Sequence, residues 1–109
     1  MRALLNKQSA EKFFIEASIY PVADAAEQID LNASDVTAVD KNGADVSADF
    51  LQQNTKVLAN DPRGGTNNVL RVKCRDGSPN ASPYHVTFSL HTTASNVFEM
   101  DTIISVKEE

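Results

Sequence analysis

The chain has 109 residues, of which 41% are hydrophobic, and a formal net charge of −5. That length is one domain, large enough to fold without metal or disulfide staples, and the apolar share is too high for a disordered segment. Fifteen acidic against ten basic residues, with no basic cluster along the chain, argue against a phosphate-neutralising surface and so against a nucleic-acid binder.

Residues 1–12 contain Leu4 and Leu5 but no continuous apolar core, so they do not read as a signal peptide. No run elsewhere approaches the roughly 20 apolar residues that a membrane span needs. The expectation is a protein of a bacterial-type cytoplasm, outside the Sec route and without membrane contact. Residues 13–20 are β-prone, with Phe13, Ile15, Ala17 and Ile19 on one face. After Pro21, Val22, Ala26 and Ile29 lie at helical spacing. A short helix over residues 22–29 is one reading, and the preferred one is a loop with Ile29 or Leu31 anchored in the core.

Residues 35–40 hold Val36 and Val39 and run into a turn at Asp40, Lys41, Asn42 and Gly43, where Asn42 and Gly43 form a good short hairpin signal. Val46, Ala48 and Phe50 alternate after it, as in a strand, and residues 55–59 read as another short strand. Asp61, Pro62, Arg63, Gly64, Gly65 and Thr66 read as a loop, mobile at its two glycines.

The remaining segments alternate strongly. Leu70, Val72 and Cys74 face opposite Arg71, Lys73 and Arg75. Tyr84, Val86, Phe88 and Leu90 face opposite His85, Thr87, Ser89 and His91. Phe98, Met100, Thr102, Ile104 and Val106 face opposite Glu99, Asp101, Ile103, Ser105 and Lys107. A period of two marks strands with one dry face. The turn residues Asp76, Gly77, Ser78, Pro79 and Asn80, then Thr93, Ala94, Ser95 and Asn96, join them. Three consecutive antiparallel strands are therefore expected at residues 67–75, 83–92 and 97–107. Tyr84 heads the dry stripe of the second, with its hydroxyl positioned to bond backbone in the 76–82 turn. About seven short strands separated by turn residues give the expected fold: one all-β domain over residues 1–109, an immunoglobulin-like antiparallel β-sandwich of about seven strands.

The chemistry-bearing residues form no recognisable constellation. Cys74 is the only cysteine, which rules out an internal disulfide, and it reads as a buried apolar residue rather than a nucleophile. His85 and His91, six apart on one strand, stand about 20 Å apart at ~3.3 Å per residue, too far to share a metal. No histidines or cysteines have zinc spacing. Asp40, Asn42, Gly43 and Asp45 resemble a calcium loop faintly, but the bidentate Glu is missing, and a turn is the better reading. Arg63, Gly64, Gly65 and Thr66 lack the longer pattern and the following helix of a phosphate-binding loop. The sequence reads as non-enzymatic, with no catalytic residue, no metal and no cofactor. The candidate partner-contact residues are Arg63, Gly64 and Gly65 in the loop and Ile103, which alone breaks the polar face of the last strand.

The order of features resembles a known group. Lys12, Phe13, Phe14 and Ile15 open it, followed by Glu27, Gln28 and Ile29, then Ser34, Asp35 and Val36, Asn42 and Gly43, and Gly64 and Gly65. Tyr84, His85, Val86, Thr87 and Phe88, then His91, Thr92 and Thr93, then Phe98, Glu99, Met100 and Asp101 before Val106 complete it. The pattern is similar to that of immunoglobulin-like virion structural proteins of phages and prophages, the fibre–tail adaptor-like group. The chain departs from it in having no tryptophan and in the inserted residues 78–82. The resemblance implies a virion structural or adaptor protein that assembles in the bacterial cytoplasm. Its partners would be other virion proteins or further copies of itself. The alternative is a small-ligand or carbohydrate-binding sandwich module.

Overall fold

Alternation decides the layers: each strand turns its apolar residues inward and leaves a polar row outside. The computed structural model describes residues 2–8, 10–20 and 27–107, with side chains from residue 5 onward. In it, seven strands and one helical turn follow in the order β1 (Arg2–Lys7), β2 (Phe13–Ser18), β3 (Asp35–Val39), α1 (Ser47–Phe50), β4 (Leu51–Ala59), β5 (Val69–Cys74), β6 (Tyr84–His91) and β7 (Val97–Val106). They form a four-stranded sheet, β1-β7-β6-β3, packed on a three-stranded sheet, β2-β5-β4. The core between the sheets takes Ile15 and Ala17 from β2, Leu70, Val72 and Cys74 from β5, and Val36 and Ala38 from β3. Val86, Phe88 and Leu90 of β6 and Met100, Ile104 and Val106 of β7 fill its other side. The fold is an immunoglobulin-like β-sandwich.

The three strongly alternating segments lie where expected, as β5, β6 and β7. The last two form a continuous antiparallel hairpin from Tyr84↔Ile104 to His91↔Val97. Residues 22–26 of the segment with helical spacing lie outside the described residues. Beyond them, Ile29 is buried, its N–H donates to the Asn67 carbonyl at 2.8 Å, and it bridges to Thr92. Leu31 packs against the core as well.

Three expectations need correction. Val46, Ala48 and Phe50 do not form a strand: residues 47–50 make one helical turn, with the Phe50 N–H donating to the Val46 carbonyl at 2.8 Å. Val46 and Phe50, four apart, share a side in such a turn, and Ala48 is left exposed. The strand at 55–59 is longer than expected, because it starts at Leu51 and carries an irregularity between Gln52 and Val57. There the Thr55 hydroxyl donates to the Gln52 carbonyl at 2.6 Å and accepts from the Lys73 N–H at 2.9 Å, standing in for ladder bonds. Finally, β1 was not anticipated, and it pairs with β7 in parallel, from Arg2↔Asp101 to Lys7↔Val106. Every other strand pair among the described residues is antiparallel. A parallel pair needs a long connection, and the whole domain lies between these two strands.

Candidate functional site

The sequence-derived contact residues fall into two separate places. Arg63, Gly64 and Gly65 lie in the loop between β4 and β5, at the end of the sandwich where β6 finishes. Ile103 lies on the outer face of the four-stranded sheet, opposite His85 at the start of β6. The six residues from His85 to His91 put them about 20 Å apart along the strand.

The loop is held by side-chain hydrogen bonds. The Asp61 N–H donates to the Asn68 side-chain oxygen at 2.8 Å, and the Asn68 amide donates to the Gly64 carbonyl at 2.8 Å. The Asp61 carboxylate, though buried, receives the Arg63 guanidinium through Nε at 2.9 Å and Nη2 at 2.8 Å. It also receives the Ser18 hydroxyl at 2.7 Å and the Arg63 backbone N–H at 2.9 Å. The guanidinium, the hydroxyl and the N–H hold Asp61 well below the usual carboxylate range. Arg63 in turn lies over the Tyr20 ring, 4.6 Å from its centroid. Gly65 has φ of +94°, and a Cβ there would collide with the Asn68 amide. Gly65 thus permits the close approach of Asn68. Beside it, the buried Glu27 carboxylate accepts from the Thr92 hydroxyl and from the Asn96 amide, the latter at 2.9 Å. Glu27 had signalled only a position in a motif, because its partners are 65 and 69 residues away.

At the opposite end Tyr84 stacks flat on Phe50, with centroids 4.2 Å apart, and its hydroxyl accepts the Ser78 N–H at 2.9 Å. Cys74 is fully buried, and burial pushes its thiol pKa up. A buried thiol in that state is a poor nucleophile.

The outer faces of the two sheets differ in sign. On the three-stranded sheet, register places Phe14 beside Lys73 and Glu16 beside Arg71 on one side, and Gln52 beside Lys73 and Val57 beside Arg71 on the other. Phe14 is 38% exposed, with the Arg71 guanidinium 4.7 Å and the Lys73 ammonium 5.2 Å from its ring centroid. Arg71 comes within 3.6 Å of Glu16. Among the described residues, Lys73 has no carboxylate partner.

On the four-stranded sheet the rows read Asp35, Ser89, Glu99, then Thr37, Thr87, Asp101, Arg2, then Val39, His85, Ile103, Leu4. Asp101 accepts the Thr87 hydroxyl at 3.0 Å, while Asp35 and Glu99 stand exposed. The structure therefore sets Ile103 at the end of an acidic face and gathers Phe14, Arg71 and Lys73, which were not among the sequence-derived contact residues, into a basic and aromatic one. Two edges flanking these faces are closed. At β3 the Ala38 N–H donates to the Ser47 hydroxyl at 2.8 Å, and the Gln53 amide donates to the Val36 carbonyl at 2.8 Å. At β4 the irregularity breaks the ladder.

No family model and no curated protein matches the chain. Solved structures do. CopC from Methylosinus trichosporium OB3b is similar over 98% of this chain and 88% of its own, at 11% identity and a TM-score of 0.58. The NK cell receptor NKp44 is similar over 98% of this chain and 99% of its own, at 9% identity and a TM-score of 0.52. At these identities the likeness concerns the fold alone.

Proposed function

We propose that the chain is a non-enzymatic structural or adaptor protein of a phage or prophage virion, acting through protein–protein contacts. The observation that carries the contact role is the pair of ordered outer faces, opposite in sign, on a sandwich whose β3 and β4 edges are closed. Such faces offer area and charge for docking, while the groups able to do chemistry are spent on structure: Asp61 on Arg63 and Ser18, Glu27 on Thr92 and Asn96, Cys74 in the core. The virion placement is supported by the order of sequence features from Lys12 to Val106, which resembles that of phage and prophage structural proteins.

Prophage induction in the source strain tests the placement. Particles purified on a density gradient and analysed by mass spectrometry should contain this protein at a fixed ratio to capsid or tail proteins. Recovery only from the soluble fraction of a strain that releases particles would instead favour the small-ligand or carbohydrate-binding module.

A further inference from the structure

The opposite signs of the two outer faces have a geometric consequence. In a two-fold pairing of the basic and aromatic face, Glu16, already within 3.6 Å of Arg71, would have to serve the partner's Arg71 and Lys73 as well. The acidic face has the same difficulty with the exposed Asp35 and Glu99, whereas Asp101 holds the Thr87 hydroxyl and has Arg2 beside it in register. Each is, however, complementary to the other, and they lie on opposite sides of one domain. We propose that copies of this chain associate head to tail, the Phe14–Arg71–Lys73 face of one seated on the Asp35–Glu99 face of the next. This deepens the protein-contact reading above, and rests on it, by naming a second copy as partner.

Two further observations favour face stacking. The closed β3 and β4 edges disfavour lateral strand addition there. The domain measures 42 × 25 × 24 Å, so its broad side projects about 1,000 Å² with loops included, the same order as the about 800 Å² per partner of a standard interface. Phe14, exposed between two cations, supplies the apolar centre of such a contact, and Arg71 and Lys73 supply the charge that fixes its register. A contact between two different faces does not close on itself at the dimer. It continues until rotation closes a ring, or it grows into a filament.

Sedimentation velocity on the full chain tests this. At low salt the wild type should form species larger than a dimer with rising concentration. At about 1 M salt, where the Debye length falls to about 3 Å, it should return to monomer. The double variant Arg71→Glu with Lys73→Glu makes both faces acidic, and Asp35→Lys with Glu99→Lys makes both basic. Each alone should weaken self-association at least about 100-fold, since like charges then face one another. Mixed in equal amounts, the two should associate again, in alternation. Circular dichroism confirms that each is folded, and Phe14→Ser, which keeps every charge, should also weaken association. A wild type that stays monomeric at low salt, or reversed variants that associate as the wild type does, overturns the stacking. Recovery of a monomeric protein in particles would leave the virion role intact, so failure of the stacking and failure of that role are separable.

Discussion

Tyr84 joins two kinds of stabilisation in one side chain, and substitution separates them. Its ring is buried flat against Phe50, and its hydroxyl satisfies the Ser78 N–H. Tyr84→Phe keeps the stack and leaves the N–H without its acceptor, so it should cost about 1 kcal/mol in a denaturant titration. Tyr84→Ala should cost about 3–5 kcal/mol, the range for deleting a large aromatic from a core. Asp61 gives a pH dependence with a definite sign. Its partners depress its folded pKa, so it contributes stability that is complete above the unfolded value of about 3.9 and is lost as pH falls through the folded one. The wild type should therefore lose thermal stability on acidification, and Asp61→Asn should start lower and lose less over the same range. Cys74 should react slowly with a thiol reagent in the native state and fast in denaturant, since it is buried and its pKa is raised.

At the scale of elements, the turn after β5 is where backbone and core meet. Gly77 has φ of +97°, and a Cβ there would lie 2.9 Å from Phe50 and 3.1 Å from Val106. Gly77→Ala should cost about 1–3 kcal/mol, from the left-handed backbone together with overpacking against Phe50, measured by thermal denaturation. The strands that were legible in the sequence are those with one buried face and long alternation: β5, β6 and β7, and most of β2. Alternation failed at Val46, Ala48 and Phe50 because three positions spaced by two fit a short strand and, through the first and last, a helical turn equally well. It was silent on β1, because Arg2, Ala3, Leu4, Leu5, Asn6 and Lys7 do not alternate. Lys7, moreover, is only 2% exposed, its ammonium donating to the Asp76 and Gln8 carbonyls. The polar face of β5 was read correctly as Arg71, Lys73 and Arg75. That Arg71 and Lys73 meet Phe14 depends on the β2–β5 register, which no single strand's pattern contains. The loop's hydrogen bonds were not legible for a similar reason: Gly64 and Gly65 signal a turn, whereas the seat of Asp61 on Ser18 depends on a residue 43 positions away.

For the molecule as a whole, β1 is the outer strand of the four-stranded sheet and covers β7. Without it, the ten-residue β7 would present a bare row of backbone donors and acceptors along Asp101–Val106, next to an apolar interior. Such an edge is a template for strand addition from another chain. The strand is also locked at its end, where the Lys107 N–H donates to the Lys7 carbonyl at 2.8 Å. Deleting residues 1–8 should thus do two things. It should lower Tm by at least about 10 °C, since several ladder bonds of about 1 kcal/mol each are lost from a domain of this size. It should also produce aggregates that bind an amyloid-type dye and persist at high salt, because backbone pairing is not screened as charge attraction is. Sedimentation of the truncated and full-length chains at low and high salt separates the two modes: the full chain should disperse in salt, and the truncated one should not. A truncated protein that stays monomeric and keeps its Tm would show that β1 adds nothing to the sandwich, and that the edge of β7 is protected by something other than its parallel partner.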